Sequence, residues 1–189
     1  MEYPDILQQA FDKYPAEVIN NYLNAIYFAR EIDADGLKFS GTYDPFRQII
    51  YIVGNGEKNT HQAMRTFHHE FSSLLLKKHS LRIDAWMDHH PKTFKYLRQK
   101  YNSWKTLEED VDISKNGTVQ DYEKGFMRIY VQTNFEDDFN EYSAMIFTYP
   151  EKFKNIMDQY PRVRGKFKVW LKFYQKIDPI FTEEYLFGK

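Results

Sequence analysis

The chain has 189 residues, 42% of them hydrophobic and 28% charged, with 26 Lys and Arg against 27 Asp and Glu and no cysteine. That length fits one domain spanning residues 1–189 that buries its own core, and a formal net charge of −1 excludes a generic basic nucleic-acid binder and a polybasic membrane patch. The absence of cysteine excludes disulfides, cysteine–zinc sites and thiol nucleophiles, and a mean hydropathy of −0.69 without a long apolar run excludes a transmembrane helix.

The N-terminal stretch Met1–Phe11 carries neither the basic nor the apolar region of a signal peptide. Its composition is that of a cytoplasmic chain or of a mature form bearing an initiator Met. Residues Pro15–Asn21 favour a short helix with proline at its start. Asn24–Arg30, Lys38–Thr42 and Arg47–Val53 read as strands, the last being β-branched and aromatic. Asp35-Gly36 and Tyr43-Asp44-Pro45 supply the turns between them, and Gly54-Asn55-Gly56 ends the last strand. The rest reads as helical. Thr60 to Lys78 forms one helix with two lysines at its C-terminal end, where the dipole favours them. Further helices are expected over Pro91–Tyr101, Thr106–Val111, Glu136–Thr148 with Asn134 or a nearby residue as cap, Glu151–Tyr160 and Lys166–Lys176, with Lys115–Gly117 as a loop. Pro161 and Gly165 are expected to break the chain before the last of these. There Lys166-Phe167-Lys168-Val169-Trp170 reads as an amphipathic helix with a solvated lysine face. Aromatics make up 18% of the chain and recur along all of it, which points to an aromatic core more than to a stacking surface.

Chemistry concentrates in two segments. The first is Phe67-His68-His69-Glu70-Phe71-Ser72-Ser73 inside the Thr60–Lys78 helix. In an HExxH motif two histidines one turn apart share a face and bind zinc, and the glutamate between them activates the metal-bound water. His69 and Glu70 fill the first two places, but Ser73 stands where the second histidine belongs. An isolated His-Glu pair is also what a polar helix face with partly buried histidines looks like. The second segment runs from Gly125 through Tyr130 to Asp137-Asp138-Phe139-Asn140-Glu141. Asp137 and Glu141 are four apart and share a helix face. The helix dipole accounts for Glu136, Asp137 and Asp138 at an N-terminus. It accounts less well for Glu141 and for the Tyr130 spacing.

Together the two segments resemble the anthrax-lethal-factor-like zincins. More closely, the chain is similar to the putative zinc-binding metallopeptidases of Bacteroidetes-type lipoproteins. In that family a helix with an HHEF-type start carries HExxH, and a tyrosine later precedes a Glu-Asp-Phe-Ala-Glu pattern by seven residues. The chain has the same order and spacing in His68-His69-Glu70-Phe71 and in Tyr130 followed by Asp137-Asp138-Phe139-Asn140-Glu141. Gly41-Thr42-Tyr43-Asp44 and Ile49-Ile50-Tyr51-Ile52 also look family-like, so the likeness spans about Pro15 to Glu141. It implies an α+β zincin-like fold with a small N-terminal mixed sheet, an active-site helix and a mainly helical C-terminal half. It implies His69 as the first zinc ligand, Glu70 as general base and Tyr130 as the donor that stabilises the oxyanion. Asp137 falls at the third ligand, where the family has Glu, and Glu141 falls at a supporting acidic position. It also implies an exported periplasmic or outer-membrane lipoprotein acting on a peptide or protein.

Ser73, as a degenerate ligand, leaves three outcomes open. Metal binding is lost; or another histidine among His61, His68, His79, His89 and His90 fills the gap; or Glu141 joins His69 and Asp137, which weakens the preference for zinc. Glu136 lies about 100° round the helix from Asp137 and substitutes only if the helix starts differently. His89-His90 before Pro91 read as an exposed or capping pair in a loop. Two functions follow: a zinc-dependent peptidase-like hydrolase, or a catalytically degenerate zincin-fold protein that binds a peptide, glycan or protein partner.

Overall fold

The computed structural model describes residues 3–34, 36–54, 60–97 and 117–188. Two short helices, α1 (Tyr3–Phe11) and α2 (Ala16–Tyr22), precede strand β1 (Ala25–Ala29). A two-stranded ribbon of β2 (Asp33–Ala34) and β3 (Leu37–Lys38) turns through Gly36, whose φ of +82° suits a residue without Cβ. Then come β4 (Gly41–Asp44) and β5 (Ile49–Val53). The expected Lys38–Thr42 strand is therefore split: β3 ends at Lys38, and β4 begins at Gly41 with a different partner.

Strand β5 is central. It pairs in parallel with β1 and antiparallel with β4, giving a mixed sheet in the order β1-β5-β4. The period-two pattern of β5 buries Ile50 and Ile52 and turns Ile49, Tyr51 and Val53 the other way, where Tyr51 stacks on Tyr27. The buried face lies against α3 (Thr60–Lys78), which spans the residues its sequence predicts. Phe67, Phe71, Leu74 and Leu75 of α3 enter the core at helical spacing.

Helix α4 (Ile83–Met87) follows. The expected helix over Pro91–Tyr101 does not form in its described part. Phe94 and Tyr96 both pack on His90, and residues two apart face the same side in an extended chain but not in a helix. The expected Thr106–Val111 helix lies outside the described residues. Helix α5 (Val119–Lys124) opens on a reciprocal cap between Thr118 and Asp121 and ends at Gly125, with φ of +89°. A 3-10 turn (Ile129–Gln132) leads into α6 (Phe135–Thr148), then α7 (Pro150–Gln159), α8 (Pro161–Ile177) and α9 (Glu183–Phe187). The result is an α+β fold with its sheet at the N-terminal side and a helical C-terminal half. No helix among the described residues is long and apolar enough to cross a membrane.

Two readings of α8 are corrected. Pro161 does not break the helix but begins it, at the position where a missing N–H costs nothing. Gly165 lies within it, because a Cβ there would stand 2.3 Å from His89 Nδ1. Gly165→Ala is expected to destabilise the fold by about 1–3 kcal/mol despite the better helix propensity of alanine, since the His89 ring must move. Denaturant unfolding of the variant measures this. Lys166, expected on a solvated face, is fully buried and donates to Asp138 Oδ2 at 2.6 Å.

Candidate active site

Helix α3 presents Arg65, His69, Ser73 and Lys77 at intervals of four, so all four face one side. That side packs on α6, which runs antiparallel to it and answers each residue in turn. Arg65 pairs with Glu141. His69 Nε2 lies 3.7 Å from Asp137 Oδ1. Asn140 Nδ2 donates to Ser73 Oγ at 2.6 Å. Lys77 Nζ donates to Glu136 Oε2 at 2.8 Å. Of the residues singled out in the sequence, His69 and Asp137 thus face each other across the seam, while Ser73 and Glu141 lie on it with other partners.

A cleft of about 380 Å³ opens beside this seam. His69, Glu70 and Ser73 of α3 line it, with β4 on one side and Asn134, Glu136 and Asp137 at the start of α6 on another. Gly41 allows the strand to come this close: a Cβ there would stand 2.4 Å from Thr66 Cγ2 and 3.2 Å from Glu70 Cγ. The cap Asn134 accepts from the Asp137 N–H through Oδ1 and donates to the Asp137 carboxylate through Nδ2, so the start of α6 is fixed by the residue that caps it. Tyr43 of β4 donates to Glu136 Oε1 at 2.5 Å and ties the two sides of the cleft together. Burial and then the Glu136 charge push the Tyr43 phenol up to about 12, so it remains a donor.

The charges in the cleft are unequally matched. Asp137 is held below its ordinary range: burial opposes this, but His69, Thr133 and Asn134 outweigh it. His69 is raised, its burial outweighed by Asp137 and by the nearby Glu70 and Glu141. Both shifts act in the same sense, towards a charged imidazole beside a charged carboxylate. Glu141, fully buried, is lowered because Arg128 and Arg65 outweigh its burial. Glu70 differs from all three. It has no hydrogen-bond or ion-pair partner among the described residues, and burial pushes it from 4.5 up to about 7.

The sign of the resulting pH effect is fixed. Between about 4.5 and about 7 the folded chain keeps a proton on Glu70 that the unfolded chain has released, so stability from this group falls as pH rises through that window. Glu70→Gln is expected to melt higher than the parent above neutrality and to match it in acid. Melting temperatures of both proteins on either side of the window check this.

Glu136 does reach the cleft, but Tyr43 and Lys77 occupy it. None of the other histidines fills the place of Ser73. His61 stacks on Tyr149, His68 is buried against Tyr14, His79 bonds Tyr22 and His89 packs on Gly165. His90 is neither exposed nor a cap: it is buried, with Nε2 at 3.1 Å from Asp138 Oδ2. Tyr130 belongs by its backbone to the 3-10 turn before α6, and its side chain lies outside the described residues.

Asn140 escaped the sequence reading. It stands where the resembled pattern has alanine, and that departure was the signal available. Arg65 and Arg128 were missed as well, because nothing local links either to Glu141, which lies 76 residues beyond Arg65.

A catalytic zinc needs three protein ligands and an open position. One imidazole and one carboxylate meet here, and they are paired with each other. Ser73 offers a neutral hydroxyl that already accepts a hydrogen bond, and Glu141 is committed to two guanidiniums. Among the described residues no group of three histidines, aspartates or glutamates is placed to hold a metal ion. The donor set does not fit zinc. The model of a family described as putative zinc-binding metallo-peptidase matches residues 29–182 of the chain. No curated protein and no solved structure matches it.

Proposed function

From the premise that this chain belongs to the putative zinc-binding metallo-peptidase family, we propose that it keeps the family's cleft as a peptide-binding site and has given up the zinc triad. The observation that carries this reading is the 2.6 Å hydrogen bond from Asn140 to Ser73. It fills the place of a second imidazole with a neutral pair that stitches α3 to α6. The commitment of Glu141 to Arg65 and Arg128 supports it, because the remaining carboxylate that could substitute is neutralised where it stands.

A peptide is the ligand that the cleft's walls suit. Strand β4 lies at the edge of the sheet and lines the cleft. An edge strand presents backbone donors and acceptors to which an extended peptide adds as a further strand. The family name points to the same ligand class.

Elemental analysis tests the reading, on protein prepared without chelators or an affinity metal and again after reconstitution with zinc and with manganese. The expected content is far below one metal per chain, with no difference in a His69→Ala control. About one zinc per chain, lost in the control, would overturn the reading in favour of a zinc-dependent hydrolase with Glu70 as base.

A further inference from the structure

We propose that Ser73 is a ligand-binding residue of the cleft and donates its hydroxyl proton to a backbone carbonyl of a bound peptide. This rests on the reading of the cleft as a peptide site and adds the contact by which the peptide is held.

Ser73 is only 2% exposed, yet it lines the cleft. A serine hydroxyl has one proton to give and two lone pairs. Asn140 Nδ2 donates to Oγ at 2.6 Å and occupies one lone pair. The Ser73 proton has no acceptor among the described residues. Asn140 is fully buried as well, and its Oδ1 has no hydrogen-bond partner among the described residues, so the pair is not closed on itself. Ser72, the next residue back, shows the contrast. It is buried in the core and accepts from Ser143 Oγ at 2.9 Å, and Ser143 in turn meets Tyr174 and Trp170. A donor drawn away from water without an acceptor is unfavourable, and a ligand that brings the acceptor removes that cost. The Asn140 amide adds to this, because a hydroxyl that accepts one hydrogen bond is polarised to donate another.

The charges around Ser73 decide which acceptor suits. Three carboxyl groups line the cleft, on Glu70, Glu136 and Asp137, against one imidazole, on His69. A ligand carboxylate or phosphate would be repelled by them. An ammonium has no lone pair to offer the hydroxyl. A neutral carbonyl accepts without bringing a charge, and an extended peptide carries one at every residue.

Thioamide scanning by titration calorimetry tests this. The probe is a six-residue peptide of alternating alanine and threonine, acetylated and amidated so that it is uncharged. In a set of derivatives one backbone C=O at a time is replaced by C=S, a larger and weaker acceptor. Replacement at one position is expected to weaken binding to the parent by about fivefold or more, the effect of one hydrogen bond. Ser73→Ala is expected to bind the all-oxygen peptide more weakly by a similar factor and to lose its sensitivity to that position. A merely structural role for Ser73 would weaken every peptide alike and leave the thioamide effect in place. The melting curve of Ser73→Ala confirms that it folds.

Binding that Ser73→Ala leaves unchanged would overturn the proposal and leave the peptide-site reading standing, as would equal binding of the whole thioamide set by the parent. A thioamide effect that persists in Ser73→Ala would also overturn it, by placing the carbonyl's donor elsewhere. Failure of the all-oxygen peptide to bind the parent would overturn both.

Discussion

Removing the Asp138 carboxylate is expected to cost about 3–5 kcal/mol of stability, the range for a buried ion pair broken on one side. Asp138 Oδ2 accepts from Lys166 Nζ at 2.6 Å, Trp86 Nε1 at 2.8 Å and the Tyr96 hydroxyl at 2.9 Å, and His90 Nε2 lies at 3.1 Å. Both Asp138 and Lys166 are fully buried. The ammonium stands 4.1 Å from the centre of the Phe126 ring and 4.9 Å from that of Trp86. Burial pulls Lys166 down to about 8, against the opposing charge of Asp138. Four separate stretches of chain meet on this carboxylate: α4, the segment from His90 to Tyr96, α6 and α8. Asp138→Ala leaves the ammonium and three further polar groups without their acceptor. Lys166→Met removes the other charge and is the milder arm, because three of the four partners of Asp138 remain. The double variant Asp138→Leu/Lys166→Met is expected to lose less than the sum of the single changes, since no lone charge is left inside. Denaturant midpoints for the four proteins check the prediction. Additive losses would mean that the pair does not act as a unit. Because Asp138 follows Asp137 on α6, the single variant is also expected to loosen that side of the cleft.

The second large effect is a gain. Ser73→His combined with Asn140→Ala and Asp137→Glu is expected to take the chain from no retained zinc to about one per molecule. Each change answers one physical obstacle. Ser73→His restores the imidazole one turn from His69, on the face that meets α6. Asn140→Ala is needed because the amide now sits 2.6 Å from the Ser73 hydroxyl, where a ring would stand. Asp137→Glu adds the methylene that lengthens the carboxylate's reach. Zinc is then expected to raise the melting temperature of the variant and not of the parent, because a ligand that binds only the folded state stabilises it. Adding His69→Ala to the triple variant is expected to remove both the metal and the shift. A triple variant that folds but takes up no zinc would show that the seam differs from a zinc site by more than these three positions.

The histidine helix was legible because its signals are local. Thr60–Lys78 has apolar residues at helical spacing and lysines at the right end, and no tertiary contact has to be known to read them. The same holds for α6: Asn134 caps it through its own side chain, within three residues of what it caps. His69, Glu70, Ser73, Asp137 and Glu141 could be singled out on those helices because four-residue spacing puts His69 with Ser73, and Asp137 with Glu141, on shared faces. Lys166 was misread for the opposite reason. Its neighbours follow an amphipathic pattern, and the acid that holds it inside lies 28 residues earlier. The Phe94–Tyr96 stretch was misread as helix because the rings that straighten it belong to His90 and Phe126.

By itself the sequence determined where the two site helices lie and which of their side chains share a face, since helix register depends on spacing and capping within a few residues. Whether those side chains make a metal site was decided only by the tertiary structure. Asn140 reaches Ser73, and Arg65 and Arg128 reach Glu141, because α3 packs antiparallel on α6 and the chain before α6 folds back over it. Those partners set the charge and hydrogen bonding of each donor. They leave Glu70 lining the cleft with no hydrogen-bond or ion-pair partner among the described residues.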